Sequence, residues 1–317
     1  MMTNSTYAIG VDIGGTKIAF ALVNSKGEAI TRHRVSTAQH EGLDAVIQRI
    51  ADGVKQLETH CDGTILGIGI GNPGIVDAEH GLVKNAVHLG WRDEPIQQLV
   101  YDSLDGKYPV YIENDVRALA MGEYTFGVAK GYKNFVYIAL GTGLGDAAMV
   151  DGKLLIGAHF APMELGHMAT VPNGRKCICG RFGCLDMYLS GVGLTAGTKE
   201  HRDKYPDSPL AQIDDPSSYQ VIEHMKQGDP LAEIVRQETV HWMKHVLMWT
   251  GGVLDTGLFV IGGGTGHAIM PLIMDDLKDY LKGHLVLPPE QVPVIKLSTV
   301  DDSAVGASCL VWQAQST

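Results

Sequence analysis

Residues 7–23 read YAIGVDIGGTKIAFALV, and this stretch decides the fold. Two β-prone runs, Tyr7–Asp12 and Ile18–Val23, are joined by Ile13-Gly14-Gly15-Thr16-Lys17, and a turn at Asn24-Ser25-Lys26-Gly27 leads into a third run near Glu28–Val35. A meander therefore opens the chain. Its glycines let the backbone turn sharply and aim amide hydrogens at one spot, which is how proteins build anion-binding concavities. Because this loop joins two strands instead of opening a helix, it fits neither the dinucleotide fingerprint nor the P-loop. Taken alone, Gly14-Gly15-Thr16 is equally compatible with a plain hairpin turn.

Working outward, Leu43, Val46, Ile47, Ile50, Val54 and Leu57 recur at helical spacing, which predicts an amphipathic helix over 41–60 that covers the meander. A strand at Ile65–Ile70 follows, ending in Gly71-Asn72-Pro73-Gly74. Val110–Ile112 reads as a short strand running into Glu113-Asn114-Asp115 and a helix to about Phe126. The pattern then restarts with the strand Asn134–Leu140, the loop Gly141-Thr142-Gly143-Leu144-Gly145, the strand Ala147–Val150 and the hairpin turn Asp151-Gly152. The same order of strand, glycine loop, strand and polar turn points to a diverged internal repeat. It implies two α/β domains of related topology facing each other across a cleft, with two unrelated hairpins as the alternative. From about residue 185 the chain is helix-rich, and Lys199–Ser218 reads as a polar surface excursion. Leu258–Ile261 is a strand ending in a third glycine run, Gly262–Gly266, and the last helix, Ser303–Gln313, carries small residues suited to close packing.

The 317 residues are 45% hydrophobic and 19% charged, the balance of an ordinary globular protein with a real core. With 36 acidic against 25 basic residues the formal charge is -11, so an electrostatic footprint for nucleic acid is absent. Met1–Gly10 lacks a basic stretch followed by an apolar run, and no segment approaches the ~18 apolar residues of a membrane span. A cytoplasmic protein without a membrane partner is the expectation. Of five cysteines, Cys177, Cys179 and Cys184 fall within eight positions while Cys61 and Cys309 stand alone, a clustering that suits a metal better than disulfides.

Three glycine loops at strand ends suggest a bound nucleotide polyphosphate. Asp12 would then sit near the phosphates, where a carboxylate can hold magnesium through water. Asn114-Asp115, at a strand end and a helix start, can project an amide and a carboxylate into a cleft; the same position is also that of a plain helix N-cap. A carboxylate that accepts a hydroxyl proton is what phosphoryl transfer to a sugar needs. Glu164-Leu165-Gly166-His167 precedes the cysteines, giving His167-x9-Cys177-x-Cys179-x4-Cys184. One imidazole and three thiolates make a closed tetrahedral set for structural zinc, with Gly180 and Gly183 relaxing the turns between them.

These motifs resemble the ROK family, named for repressors, open reading frames and kinases. The resemblance rests on Asp12–Lys17, Gly71-Asn72-Pro73-Gly74, Asn114-Asp115, Gly141-Thr142-Gly143, Glu164-x-x-His167, Cys177-x-Cys179-Gly180-x-x-Gly183-Cys184 and Ile261-Gly262-Gly263-Gly264, in the family's order. It implies a two-domain actin-like ATPase (ribonuclease H-like) fold with a cleft. Residues 1–117 and 300–317 would form the smaller N-terminal domain, and 118–299 a larger domain with the zinc site and a homodimer interface. Asp115 is implied as the catalytic base. Asn114, Glu164 and His167 would hold sugar hydroxyls, with Gly74 and Asn85 in the same pocket. Asp12, Gly14, Gly15, Thr16, Lys17, Gly141, Thr142, Gly143, Gly263 and Gly264 would bind ATP with its magnesium. His167 would share its ring between zinc and sugar, making the metal an organiser of the substrate site.

Two residues depart from the family pattern. Asp146 stands where the family continues its second loop with glycine, which places a negative charge near the expected polyphosphate. Asp186 stands where glutamate is usual, at a position that reaches hydroxyls near the anomeric carbon. The leading expectation is a Mg-ATP-dependent, glucokinase-like hexose kinase acting on the C6 hydroxyl. N-acetylmannosamine, N-acetylglucosamine and allose are alternative acceptors. A sugar-responsive regulator is the other class, against which the early position of Asp12 leaves no room for a preceding DNA-binding domain. A non-catalytic sugar sensor is the third reading, and the intact Asp115 speaks against it.

Overall fold

The computed structural model describes residues 5–284, 286–300 and 302–315, so residues 1–4, 301, 316 and 317 of the expected N-terminal domain lie outside them. The chain divides into two units, one running to Gly131 and completed by Ile156–Pro162 and the segment from Thr299, the other comprising Tyr132–Leu155 and Met163–Ser298.

In the first unit the opening meander is β1 (Thr6–Ile13), β2 (Lys17–Asn24) and β3 (Ala29–Ser36), followed by helix α1 (Leu43–Glu58). Then come β4 (Thr64–Asn72), β5 (Ile75–Asp77), β6 (Leu82–Ala86), β7 (Trp91–Glu94), α2 (Ile96–Ser103), β8 (Val110–Asn114) and α3 (Asp115–Thr125). The main sheet has the order β3-β2-β1-β4-β8, antiparallel through the meander and parallel from β1 to β4 to β8. β3 alternates between half-buried and exposed positions, as an edge strand with one solvated face does, whereas the middle of β1 is buried on both faces. The helix α1 buries Val46, Ile47, Ile50, Val54 and Leu57, the face its spacing predicted.

The second unit begins with β9 (Phe135–Leu140), β10 (Leu144–Val150) and β11 (Lys153–Leu154), then α4 (Asp186–Leu189), α5 (Gly191–His201), α6 (Ser218–Lys226) and α7 (Pro230–Leu254). It continues with β12 (Leu258–Gly262), α8 (Gly264–His284) and β13 (Val294–Leu297). Its sheet order, β11-β10-β9-β12-β13, repeats that of the first unit, with the same antiparallel meander and the same parallel pair. The internal repeat read from the sequence is therefore a repeat of topology. Its core gathers Val136, Ile138, Leu185, Leu247, Phe259 and Ile261 with buried residues of α5 to α8.

Helix α9 (Ser303–Ala314) returns the chain to the first unit and packs on β1, β4 and α3. The approach is close because glycines line it: a Cβ at Gly10 would stand 1.6 Å from Ala304 O, and one at Gly69 would stand 1.9 Å from Ala307 O. Buried Glu123 of α3 fastens the same return, accepting from the backbone N of Thr299 at 2.7 Å and of Val300 at 2.6 Å. These bonds keep α3 with the first unit, which extends to Gly131 and beyond the limit of 117 expected from the sequence.

Three features differ from the sequence reading. A small sheet, β5-β6-β7, had no counterpart in it. The Lys199–Ser218 stretch is not a simple surface excursion: α5 continues to His201, Leu210 is fully buried, and Ser208 Oγ donates to Asp229 Oδ1 at 2.6 Å. Gly262–Gly266, expected as a glycine loop at a strand end, is a loop only at Gly263, because β12 runs through Gly262 and α8 starts at Gly264.

Candidate functional site

The first glycine turn is built from within the first unit. Gly14 N–H donates to Lys17 O at 2.9 Å, and buried Thr37 donates through Oγ1 to Gly14 O at 2.6 Å and through its N–H to Thr16 O at 3.0 Å. The protein thus consumes the loop's carbonyls, and Thr16 and Lys17 stay exposed. Asp12, half-buried at the end of β1, is pushed up to about 7, chiefly by burial and then by the charge of Asp115.

Asp115 opens α3 directly after β8. Asn114 is the N-cap, its Oδ1 accepting from Val116 N and Arg117 N, each at 3.1 Å. The same amide donates through Nδ2 to Gly74 O and to Asp115 Oδ1, both at 3.0 Å, while Val116 N–H reaches Asp115 Oδ1 at 2.9 Å. Capping and the functional role are therefore not alternatives, since the cap aims the carboxylate. Burial raises the Asp115 pKa, with the Val116 N–H, its own N–H and the Arg117 charge pulling the other way.

Beneath lies a buried pair that the sequence reading missed. Arg117 Nε donates to Glu113 Oε1 at 2.7 Å, and its Nη atoms reach Val76 O and Phe160 O, each at 3.0 Å. Glu113 Oε1 also accepts from Asn114 N at 2.6 Å. Both side chains are nearly inaccessible, so removing one partner would strand a charge. Their i,i+4 spacing on either side of the Asn-Asp pair was the available signal. Asn85 sits on β6, paired with Ile75, and lines a cavity of about 370 Å³ together with Ile75, Lys84, Arg92, His159 and Phe160.

In the second unit, Gly141 N–H donates to Gly143 O at 2.9 Å. Gly191 N–H and Thr265 Oγ1 both donate to Gly141 O, and Val192 N–H to Thr142 O, so again carbonyls are taken by the protein while Thr142 and Gly143 stay exposed. Gly263 joins this loop to the start of α8: its φ is +80, and a Cβ there would stand 2.4 Å from Leu140 O. Gly264 is the first residue of α8, whose N-terminal amides and dipole favour an anion.

Asp186, at the start of α4, is buried, and its Oδ1 accepts from Leu144 N at 2.7 Å. Asp146 does not face away into solvent: its Oδ2 accepts from Leu165 N at 2.9 Å. Glu164 is in the left-handed region at φ 52 and precedes a single 3-10 turn, Leu165–His167. His167, Cys177, Cys179 and Cys184 converge, with ligand atoms all within 4.8 Å of one another. Cys177 Sγ lies 3.7 Å from His167 Nδ1, and Cys179 Sγ lies 3.5 Å from Cys184 Sγ. Tetrahedral zinc with Zn–S bonds of about 2.3 Å separates two thiolates by about 3.8 Å, so the four residues fit the ion. Gly180 and Gly183 both take positive φ between these ligands.

Asp12, Asn114, Asp115 and Gly74 are thus brought together in the first unit, and the second loop, Asp186, Glu164, His167 and the cysteines in the second.

The family model described as the ROK family matches residues 8–314. A glucokinase of Streptomyces coelicolor is 33% identical over 285 residues, which are 88% of this chain and 88% of that one. A xylose repressor of Caldicellulosiruptor bescii is 26% identical over 95% of this chain and 76% of its own. Among solved structures, a ROK family glucokinase from Streptomyces griseus in complex with glucose and AMPPNP is similar with a TM-score of 0.80 and 29% identity, covering 98% of this chain and 100% of that chain.

Proposed function

The chain belongs to the ROK family, and from that premise we propose that it is an ATP-dependent, glucokinase-like hexose kinase that transfers the γ-phosphoryl group to the C6 hydroxyl. The observation that carries this reading is the Asp115 carboxylate. It is aimed by Asn114 and Val116, and burial raises its pKa, which makes it a stronger base than an exposed carboxylate.

The residues divide the work as follows. Asp115 Oδ1 is engaged by protein donors, and Oδ2 accepts the hydroxyl proton as the oxygen bonds to the γ-phosphorus and the bond from that phosphorus to the β,γ-bridging oxygen breaks, releasing ADP. For the phosphates the first unit offers the amides of Gly15 and Thr16 with Lys17, the Gly14 N–H being spent on Lys17 O, and the second unit offers those of Thr142 and Gly143 with the α8 terminus at Gly263-Gly264. Magnesium bound with ATP would neutralise phosphate charge, with Asp12 as the carboxylate that would meet it through water. Asn114, Glu164 and His167 take sugar hydroxyls, with Gly74, Asn85 and Asp186 shaping the acceptor's preference. Zinc, held by His167, Cys177, Cys179 and Cys184, would fix the orientation of the His167 ring.

Homodimer formation through the larger unit and a cytoplasmic location belong to the same reading. On α7, His241, His245, Trp249 and Val253 recur every fourth residue, and Val253 is 81% exposed, which supports a contact face there. No helix among the described residues is long and apolar enough to cross a membrane. The similarity to a xylose repressor keeps a sugar-responsive regulator as the second reading.

A coupled ADP-release assay with Mg-ATP over hexoses and N-acetylhexosamines decides between them. Turnover of at least one hexose is expected. Sugar binding without ADP release from any member, allose and N-acetylmannosamine included, would favour the regulator.

A further inference from the structure

We infer that Asp146 is a positioning residue of the sugar site, whose carboxylate holds the backbone turn that presents Glu164 and His167. The inference rests on the assignment of those two residues to the sugar. It departs from the simplest reading of the sequence, in which Asp146 is a misplaced charge beside a polyphosphate.

The geometry carries it. Asp146 lies on β10 opposite Ile138, two residues beyond Leu144, where the glycine loop has become strand. Its Oδ2 accepts from Leu165 N at 2.9 Å; burial, and then the charge of Glu164, push the carboxyl up to about 7, while the N–H groups of Leu165, Glu164 and Gly166 pull the other way. The successive amides of Glu164, Leu165 and Gly166 around one carboxyl make a nest-like turn, in which Leu165 makes the hydrogen bond itself. Glu164 and Met163 both have positive φ, at 52 and 69, although neither is glycine. Such backbone persists only where the surroundings over-determine it, and the Asp146 carboxylate is a strong acceptor located to do so. Its Oδ1 is buried with no hydrogen-bond partner among the described residues, so this side chain is committed to the interior and not to solvent.

A second carboxylate works in the opposite sense. Asp186 reaches from α4 back to Leu144 N at 2.7 Å, just ahead of Asp146 on the same strand. One aspartate thus ties α4 to the phosphate-type loop, and the other ties the strand that leaves this loop to the sugar-type turn. Loop, turn and α4 become one block within the second unit. His167 follows Gly166 directly, so the nest also sets where the zinc cluster begins.

Three variants separate geometry from charge. Asp146→Asn keeps an oxygen acceptor of the same reach and removes the charge. Asp146→Glu keeps the charge and lengthens the reach by one methylene. Asp146→Ala removes both. The positioning role predicts that the sugar KM rises by about 10- to 100-fold in the Ala and Glu variants, as expected for one lost bond to a charged group. The Asn variant should stay within about threefold of wild type, kcat should change less than KM, and the KM for Mg-ATP should stay within about threefold in all three. A charge acting on the nucleotide predicts the reverse: a lower Mg-ATP KM in Asn and Ala, an unchanged Glu variant and a flat sugar KM. That pattern, or three variants indistinguishable from wild type, overturns the inference. If Asp146→Ala does not fold, the Asn and Glu pair still opposes the two accounts. Amide hydrogen exchange at Leu165 and Gly166, faster in Asp146→Glu than in Asp146→Asn, reads the nest without any turnover. A wild type that releases no ADP would therefore count against the kinase reading alone, while equal exchange in the two variants would count against Asp146.

Discussion

The backbone N–H of Leu144 donates to Asp186 Oδ1 at 2.7 Å, so the carboxylate expected at the anomeric end of the sugar is already bonded to the glycine loop. A Cβ at Gly143 would lie 3.4 Å from the same oxygen, which leaves little slack between loop and carboxylate. Asp186→Glu should therefore act twice. The longer arm should improve the ratio of glucose turnover to turnover of the best native sugar, chiefly through KM. Displacing the acceptor of Leu144 should raise the KM for Mg-ATP, each effect amounting to about one decade. Steady-state kinetics on both substrates checks this, and a flat sugar ratio would mean that Asp186 does not set preference.

Asp115→Asn should lower kcat by about 10²- to 10⁴-fold, the usual worth of a positioned general base, while sugar affinity stays within about tenfold. The amide can still accept from Val116 N–H at the place where Asp115 Oδ1 does so at 2.9 Å, but it cannot take the proton. Near-normal turnover would remove Asp115 from the base role.

Much of this arrangement was legible because it depends on local chemistry. Glycines at strand ends, the Asn-Asp pair after a strand, and a histidine with three close cysteines need only spacing to be noticed, and the restart after Asn134 announced a repeated topology. The rest depends on which segments meet. Strands β5, β6 and β7 have three to five residues each, too short to show a period, so their sheet was invisible. Thr37 supports the first loop from more than twenty positions away in sequence. The direction of Asp146 is set by a turn nineteen residues downstream, which no local pattern specifies. The third glycine run reads as a loop because a loop and a strand–helix junction share the same glycine signal; only the start of α8 at Gly264 separates them.

One zinc per chain is expected in protein purified without chelator, bound by His167, Cys177, Cys179 and Cys184. Cys184 is fully buried while Cys179 is exposed, and their Sγ atoms stand 3.5 Å apart, so Cys179→Ser opens the ligand set from its exposed side. Loss of zinc with a raised sugar KM is the expected result, because His167 loses its anchor. Metal analysis reporting no zinc, or a Cys179→Ser enzyme with wild-type kinetics, would contradict it.

The last expectation concerns Asp12, whose carboxyl has an ordinary value of 3.8 and is held at about 7 by burial and by the charge of Asp115. Between these values the unfolded chain has lost the proton while the folded protein retains it. The folded state then binds more protons, so this residue's contribution to stability falls as pH rises from about 4 to about 7 and is level above that. Asparagine does not titrate. Asp12→Asn should therefore match wild type near pH 4 and become more stable by on the order of 1–3 kcal/mol at pH 8, since Asp12 is only half-buried and solvent screens part of the shift. That corresponds to a rise in Tm of several degrees. Relieving the charge on Asp115 acts in the same direction, because one of two neighbouring carboxylates is gone. Turnover should fall in the same variant, since the group that destabilises the free enzyme at pH 8 is the one proposed to face magnesium and phosphate. Adding Mg-ATP should shrink the stability difference, the ligand favouring the ionised carboxylate that the variant lacks. Calorimetric scans at pH 4.5 and 8, with and without Mg-ATP, test the whole chain of reasoning. An Asp12→Asn protein that melts at or below the wild-type temperature at pH 8 would show that the surroundings of Asp12 do not raise its pKa.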